Sequence, residues 1–132
     1  MNQVSPSNNI YIKKSKIPNS GKGVFAGKNF KKGEAVEVAP ILILEFTDFV
    51  DTKWNLLFEY YFWMDDFVAL ALGFGSLYNH SKDPNCKYEL SCKEQTITFT
   101  AIRKIAKDEE ILFNYKGLAN PKTPLWFEKD SI

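Results

Sequence analysis

The sequence predicts a mainly β domain, many short strands with short helices at most, and three observations carry that expectation. Residues 95–102 alternate, with Ile97, Phe99 and Ala101 facing one way and Thr96, Thr98 and Thr100 the other, the period-two pattern of a strand with one buried face. Turn chemistry recurs at short intervals, in Pro18-Asn19-Ser20-Gly21, in Lys31-Lys32-Gly33-Glu34 and in Ala106-Lys107-Asp108-Glu109. Residues 47–66 are the least strand-like part of the chain. At 132 residues the chain is expected to fold as one domain around one core.

Taken in order, residues 1–8 are polar and expected to be loose. Ile10 and Ile12 alternate with Tyr11 and Lys13 as a first strand. Val24-Phe25-Ala26 reads as a second strand after a glycine-rich turn. Strand material runs from Ala35 to Phe46, with Pro40 marking a bend, an edge or a break. Residues 51–63 are expected to hold one or two helical turns capped by Asp51. The apolar run Phe67-Val68-Ala69-Leu70-Ala71-Leu72 reads as buried. It feeds a segment in which Gly73, Gly75 and the Asp83-Pro84 step imply a turning backbone around Asn79 and His80, the one histidine of the chain. Residues 86–91 and 111–115 read as further strands, and the tail carries Pro121, Pro124 and Trp126.

Composition narrows the function classes. The net charge is +1, so no overall field draws the chain to nucleic acid or a membrane surface. Arg103 is the lone arginine, which leaves little for bidentate phosphate recognition. Cys86 and Cys92 make neither a disulfide framework nor a zinc signature, so no metal is expected. With no targeting core and no run of membrane-spanning length, the expectation is a soluble intracellular protein.

Four pieces carry chemistry: Gly21-Lys22-Gly23-Val24-Phe25, the Asn79-His80 turn, Phe113-Asn114-Tyr115, and Trp126. Taken singly, each has an ordinary structural reading. A lone Gly-x-Gly with no helix after it is not a dinucleotide fingerprint. A tyrosine at a strand end is usually core or rim, and a tail tryptophan is usually a plug. In this order and spacing, however, the pieces resemble the SET domain, the fold of protein lysine methyltransferases, over about residues 9–127. Gly21-Lys22-Gly23-Val24-Phe25-Ala26 is similar to the family's first cofactor motif. Tyr78-Asn79-His80-Ser81 with Pro84-Asn85-Cys86 resembles its Asn-His-Ser…Pro-Asn signature. Glu109-Glu110-Ile111-Leu112-Phe113-Asn114-Tyr115 resembles the segment that holds the catalytic tyrosine.

The resemblance implies short sheets around a knot-like crossing that brings Asn79 and His80 beside Tyr115, with residues 9–117 as the core and 118–132 as a tail closing over the cofactor site. It implies S-adenosyl-L-methionine as cofactor, held by Gly21, Lys22, Gly23, Asn79, His80, Tyr115 and Trp126. Tyr115 is then the catalytic residue, and Tyr60, Tyr88 and Phe113 line a channel for the target lysine. His80 is expected to be a buried, hydrogen-bonded support. The implied substrate is a lysine in a protein or peptide, a histone among the candidates, with the nucleus as the location if the histone is eukaryotic. Phe113, two residues before the catalytic tyrosine, implies di- or trimethyl products. The chain lacks the family's flanking zinc segments and resembles the minimal SET proteins of some viruses and bacteria, which implies a homodimer. A silent lysine-peptide binding module and an enzyme acting on a small amine are the alternatives.

Overall fold

The computed structural model describes residues 9–45, 60–63 and 67–115, and among these it contains nine strands and no helix. They are β1 (Ile10–Lys14), β2 (Lys22–Ala26), β3 (Ala35–Glu45), β4 (Phe62–Trp63), β5 (Phe67–Ala71), β6 (Asn79–His80), β7 (Cys86–Ser91), β8 (Thr96–Ala101) and β9 (Glu110–Phe113). One sheet has the order β1-β2-β9-β6 and the other β4-β5-β3-β8-β7. Trp126 and the tail, residues 1–8, and the Asp51 cap with most of the expected helical turns lie outside the described residues. At the described end of that stretch, Phe62 and Trp63 are not helical but pair with Ala69 and Val68 as a sheet edge. Period two explains the outcome: Phe62 is buried while Trp63 is exposed.

The clean alternation of β8 is found as expected, with Ile97, Phe99 and Ala101 buried. Thr96 on its other face is buried too. Pro40 does not break its strand. Residues up to Pro40 pair with β8 and residues from Ile41 pair with β5, so the proline sits where β3 changes partner. A missing N–H costs least at such a handover. The apolar run at residues 67–72 is only partly enclosed, with Val68, Ala69 and Ala71 buried but Leu72 exposed.

The two turns that echo each other in sequence are the same turn in space. Phe30 and Ile105 form an antiparallel bridge, exchanging N–H···O bonds of 2.8 and 3.0 Å. Three residues after each, Gly33 and Asp108 take φ of +89° and +70°. Glu34 then accepts from the Lys31 N–H, and Glu109 from the Ala106 N–H, both at 3.0 Å. Gly33 donates to the Ala101 carbonyl and Asp108 to the Ala26 carbonyl, both at 2.7 Å. The units β2–turn–β3 and β8–turn–β9 therefore embrace about a local two-fold, and the exchange sends β9 into the sheet of β2 and β3 into the sheet of β8.

Asn79 and His80 were expected on a turning backbone, and here the structure differs. They form a two-residue ladder with β9, parallel, in the register Asn79↔Leu112 and His80↔Phe113. Their side chains are thus fixed by β9 as well as by their own loop. Asn85 seals the pair. Its Nδ2 donates to the Glu110 carbonyl at 2.9 Å and to Glu109 Oε2 at 3.0 Å, and its Oδ1 accepts from the Leu112 N–H at 2.9 Å. Asn85→Ala strands a carbonyl and an N–H beneath the sheet. It is expected to destabilise the fold by about 2–6 kcal/mol, at 1–3 for each unmet group. Urea unfolding checks this, and a loss below about 1 kcal/mol contradicts it.

Candidate active site

The site grows from Glu110, the first residue of β9. Its buried carboxylate accepts from Ser15 Oγ at 2.8 and 3.0 Å, from the Lys16 N–H at 3.1 Å and from Asn79 Nδ2 at 3.1 Å. The second Nδ2 proton of Asn79 goes to the Lys22 carbonyl, also at 3.1 Å. Both amide donors are thereby used, which fixes the orientation of the amide. Asn79 Oδ1 makes no hydrogen bond among the described residues. An acceptor held in this way suits an ammonium donor.

The glycine motif meets this cluster from the β2 side. A Cβ on Gly23 would lie 2.3 Å from Glu110 Oε2 and 3.0 Å from Asn79 Nδ2, so glycine here lets β2 close onto the carboxylate and the amide. Gly21 is different. It holds φ at +63° with nothing within 4 Å of a Cβ, leaving open space beside the strand. The Lys22 side chain is exposed, and its contribution to the cluster is the carbonyl.

Tyr115 reaches the same place from the far end of β9. Its N–H donates to His80 Nδ1 at 3.1 Å and its hydroxyl to the Tyr78 carbonyl at 2.9 Å. The His80 and Tyr115 rings lie 5.0 Å apart. Burial pushes the Tyr115 phenol up to about 12, with a smaller push from Tyr60, so the hydroxyl is neutral across the physiological range. It can donate and accept hydrogen bonds but cannot serve as an anionic base.

Rings pack behind it. Phe113 is buried, with Tyr88, Tyr115, Phe99, Phe62 and Tyr78 at centroid distances of 5.2–5.9 Å. The Tyr88 hydroxyl points at the Tyr115 carbonyl, 3.4 Å away. Tyr60 is exposed at 38%. The structure thus brings together Gly23, Lys22, Asn79, His80, Tyr115, Phe113 and Tyr88. Gly21 flanks them, Tyr60 sits at the rim, and Trp126 lies outside the described residues.

Two contributors escaped the sequence reading. Glu110 was read only as motif, though an acid at the head of an apolar strand is the signal for a buried carboxylate. Ser15 carried no signal, because its contact depends on the β1–β2 turn. Among the described residues no cluster of three His, Cys, Asp or Glu side chains suits a metal ion, and no helix is long and apolar enough to cross a membrane.

Comparison with known proteins places this geometry. A family model described as the SET domain matches residues 21–116. A curated protein of Schizosaccharomyces pombe, named histone-lysine N-methyltransferase, H3 lysine-37 specific, is 29% identical over 113 residues, spanning 84% of this chain and 73% of the relative. A Plasmodium falciparum structure, described as a candidate histone methyltransferase, superposes with a TM-score of 0.68 at 28% identity. It covers 92% of this chain and 98% of its own. A Polycomb repressive complex 2 structure from Chaetomium thermophilum, bound to S-adenosylmethionine, superposes with a TM-score of 0.69. Its identity is 22% over 92% of this chain and 16% of its own, which bears on fold alone.

The two glycines should respond differently to a methyl group. Gly21→Ala meets no atom but strains a left-handed backbone, about 1–2 kcal/mol. Gly23→Ala forces Glu110 and Asn79 apart and should cost more, about 2–3 kcal/mol. Chemical denaturation of both variants checks the order, and a Gly23→Ala variant as stable as the parent contradicts it.

Proposed function

The chain belongs to the SET-domain family, and from that membership and the site's geometry we propose that it transfers methyl groups from S-adenosyl-L-methionine to the ε-amine of a lysine in a protein. The observation that carries the reading is the Tyr115 hydroxyl, bonded to the Tyr78 carbonyl beside the Asn79–His80 ladder. When bound, the cofactor supplies a methyl group on a sulfonium, an electrophile that needs no metal.

The residues present fit that cofactor. Asn79 Oδ1 is held ready to accept from the ammonium of its amino-acid end, and the open space at Gly21 leaves backbone accessible to it. Trp126 remains the proposed adenine contact on the sequence resemblance. Tyr115 contributes orientation. With its proton given to the Tyr78 carbonyl, its oxygen can accept from the incoming amine and align it. The amine must be neutral to attack, and aromatic walls from Tyr60, Tyr88 and Phe113 disfavour its charged form. The same rings tolerate a methylated ammonium.

The Schizosaccharomyces pombe relative's name supports a histone as the substrate class, and the nucleus as the place of action follows if so. Phe113 carries no hydroxyl, and the Tyr88 hydroxyl faces the Tyr115 carbonyl, which supports di- or trimethyl products. Self-association belongs to the same proposal. Leu42 on β3 and Trp63 on β4 are half exposed, and by register they share one face of their sheet.

Incubation with methyl-labelled S-adenosylmethionine, core histones and cell lysate tests the activity. Label is expected on lysine by mass spectrometry, and cofactor binding without protein labelling overturns the reading. Under excess cofactor the product should pass the monomethyl stage. Arrest at one methyl, released by Tyr88→Phe, contradicts the assignment to Phe113.

Tyr115→Phe should cut turnover by about 10²-fold while affinity for the demethylated cofactor stays within about threefold. The Tyr115 phenol stays protonated below about 12, so turnover rising with pH should follow the target amine, which titrates near ~10.4 when free. Tyr115→Phe should therefore lower the pH–rate curve without moving its midpoint, and a displaced midpoint contradicts a neutral Tyr115. His80→Ala should cost about 1–3 kcal/mol of stability, since the Tyr115 N–H loses its acceptor. Normal stability in that variant removes His80 as a support.

A further inference from the structure

An acid sits inside the apolar strand β3, where Glu37 lies between Val36 and Val38. Glu37 is 8% exposed. A carboxylate in that position is costly unless several donors satisfy it, and the donors here come from the segment leading into the candidate site. Glu37 Oε1 accepts from the Tyr78 hydroxyl at 2.8 Å and Oε2 accepts from the Phe74 N–H at 3.0 Å. A Cβ on Gly73 would lie 2.7 Å from Oε2, so the turn closes directly onto the carboxylate. Gly73 holds φ at +60°, and Gly75 has no room for a Cβ beside Ala71, so the turn has little freedom to reach the acid another way.

The far end of this contact is the Tyr78 backbone. The Tyr78 ring is clamped, stacked on Phe99 at 4.2 Å, with its hydroxyl held by Glu37. Burial keeps that phenol well above its ordinary range, so it remains a donor, and the same burial pushes the Glu37 carboxyl up against the pull of its two bonds. Ring and hydroxyl together anchor Tyr78, and its carbonyl accepts the Tyr115 hydroxyl at 2.9 Å.

We propose that Glu37 is a positioning residue for the Tyr115 hydroxyl, acting through the side chain and carbonyl of Tyr78. The proposal rests on the methyl-transfer reading for its catalytic meaning and on the hydrogen-bond chain Glu37–Tyr78–Tyr115 for its geometry. Glu37 touches neither substrate nor cofactor in this scheme. It sets where the hydroxyl points, and a small misplacement of an orienting group lowers the rate of the chemical step more than it lowers binding.

The test uses Glu37→Ala, Glu37→Gln and Tyr78→Phe, each alone and with Tyr115→Phe. Single-turnover methyl transfer, calorimetric affinity for the demethylated cofactor, and the fluorine resonance of 3-fluorotyrosine placed at position 115 are measured. Glu37→Ala and Tyr78→Phe should each slow transfer by roughly 10- to 100-fold. Cofactor affinity should change less than about threefold, and the position-115 resonance should move. Glu37→Gln should recover most of the rate, because its amide can accept from the Phe74 N–H and donate to the Tyr78 hydroxyl.

In the Tyr115→Phe background, Glu37→Ala should add no further loss. Equal losses in both backgrounds, or an unmoved resonance, overturn the proposal in favour of a purely structural carboxylate. Should Glu37→Ala fail to fold, Tyr78→Phe carries the same comparisons with the ring stack retained. Should the parent transfer no methyl at all, the proposed function fails separately, and the fluorine resonance alone decides the positioning claim.

Discussion

Parallel pairing of Asn79 and His80 with Leu112 and Phe113 is the constraint on which the site depends. Two residues of ladder are a weak sheet, and parallel pairing is slightly less stable per residue than antiparallel. The pair persists because polar groups close it on every side. The Ser81 N–H donates to the Phe113 carbonyl at 3.1 Å and the Asn85 N–H to the Leu112 carbonyl at 3.2 Å. Glu110 holds Asn79 at one end, and the Tyr115 N–H holds His80 at the other. Residues 35 apart in sequence thereby share one geometry. Loosening any of these groups moves the Asn79 amide and the Tyr115 phenol together.

Carboxylates do much of this holding, and each does it from inside the protein. Glu110 gathers Ser15, Lys16 and Asn79 under the glycine strand. Glu37 gathers Phe74 and Tyr78 under the turn. In both places a glycine faces the carboxylate at a distance no Cβ permits, Gly23 against Glu110 and Gly73 against Glu37. Burying an acid is unfavourable without such donors, and the requirement for several donors at fixed distances is what makes the local backbone unique. The two-fold embrace of the Phe30 and Ile105 turns supplies the frame, since it delivers β9 to its place beside β2.

Much of this was legible in the residues. The alternation of β8 and the matching turn sequences at Gly33 and Asp108 follow directly from side-chain period and turn chemistry. The candidate residues Asn79, His80 and Tyr115 stand out through their motifs, and the structure brings them together. What stayed hidden depends on contacts between distant segments. Asn79 and His80 read as a turn because their ladder partner lies on β9, and parallel pairing leaves no mark on a two-residue window. Pro40 read as a bend, an edge or a break because a strand's change of partner is not written in the strand. Phe62 and Trp63 were grouped with a helix-like stretch, although their alternation of buried and exposed rings is that of an edge strand. Glu37 goes unmarked in its strand and Glu110 is visible only as part of its motif, because the donors that face them lie on distant segments.

The central claim is that Tyr115 is fixed by its N–H bond to His80 Nδ1, with His80 in the tautomer that protonates Nε2. Nitrogen-15 NMR of the protein labelled at both residues tests it most directly. A through-bond coupling between the Tyr115 amide nitrogen and His80 Nδ1, with the Nδ1 shift of an unprotonated acceptor, is the predicted result. A proton on Nδ1, or a Tyr115 amide that exchanges with solvent as fast as a loop residue, would contradict it.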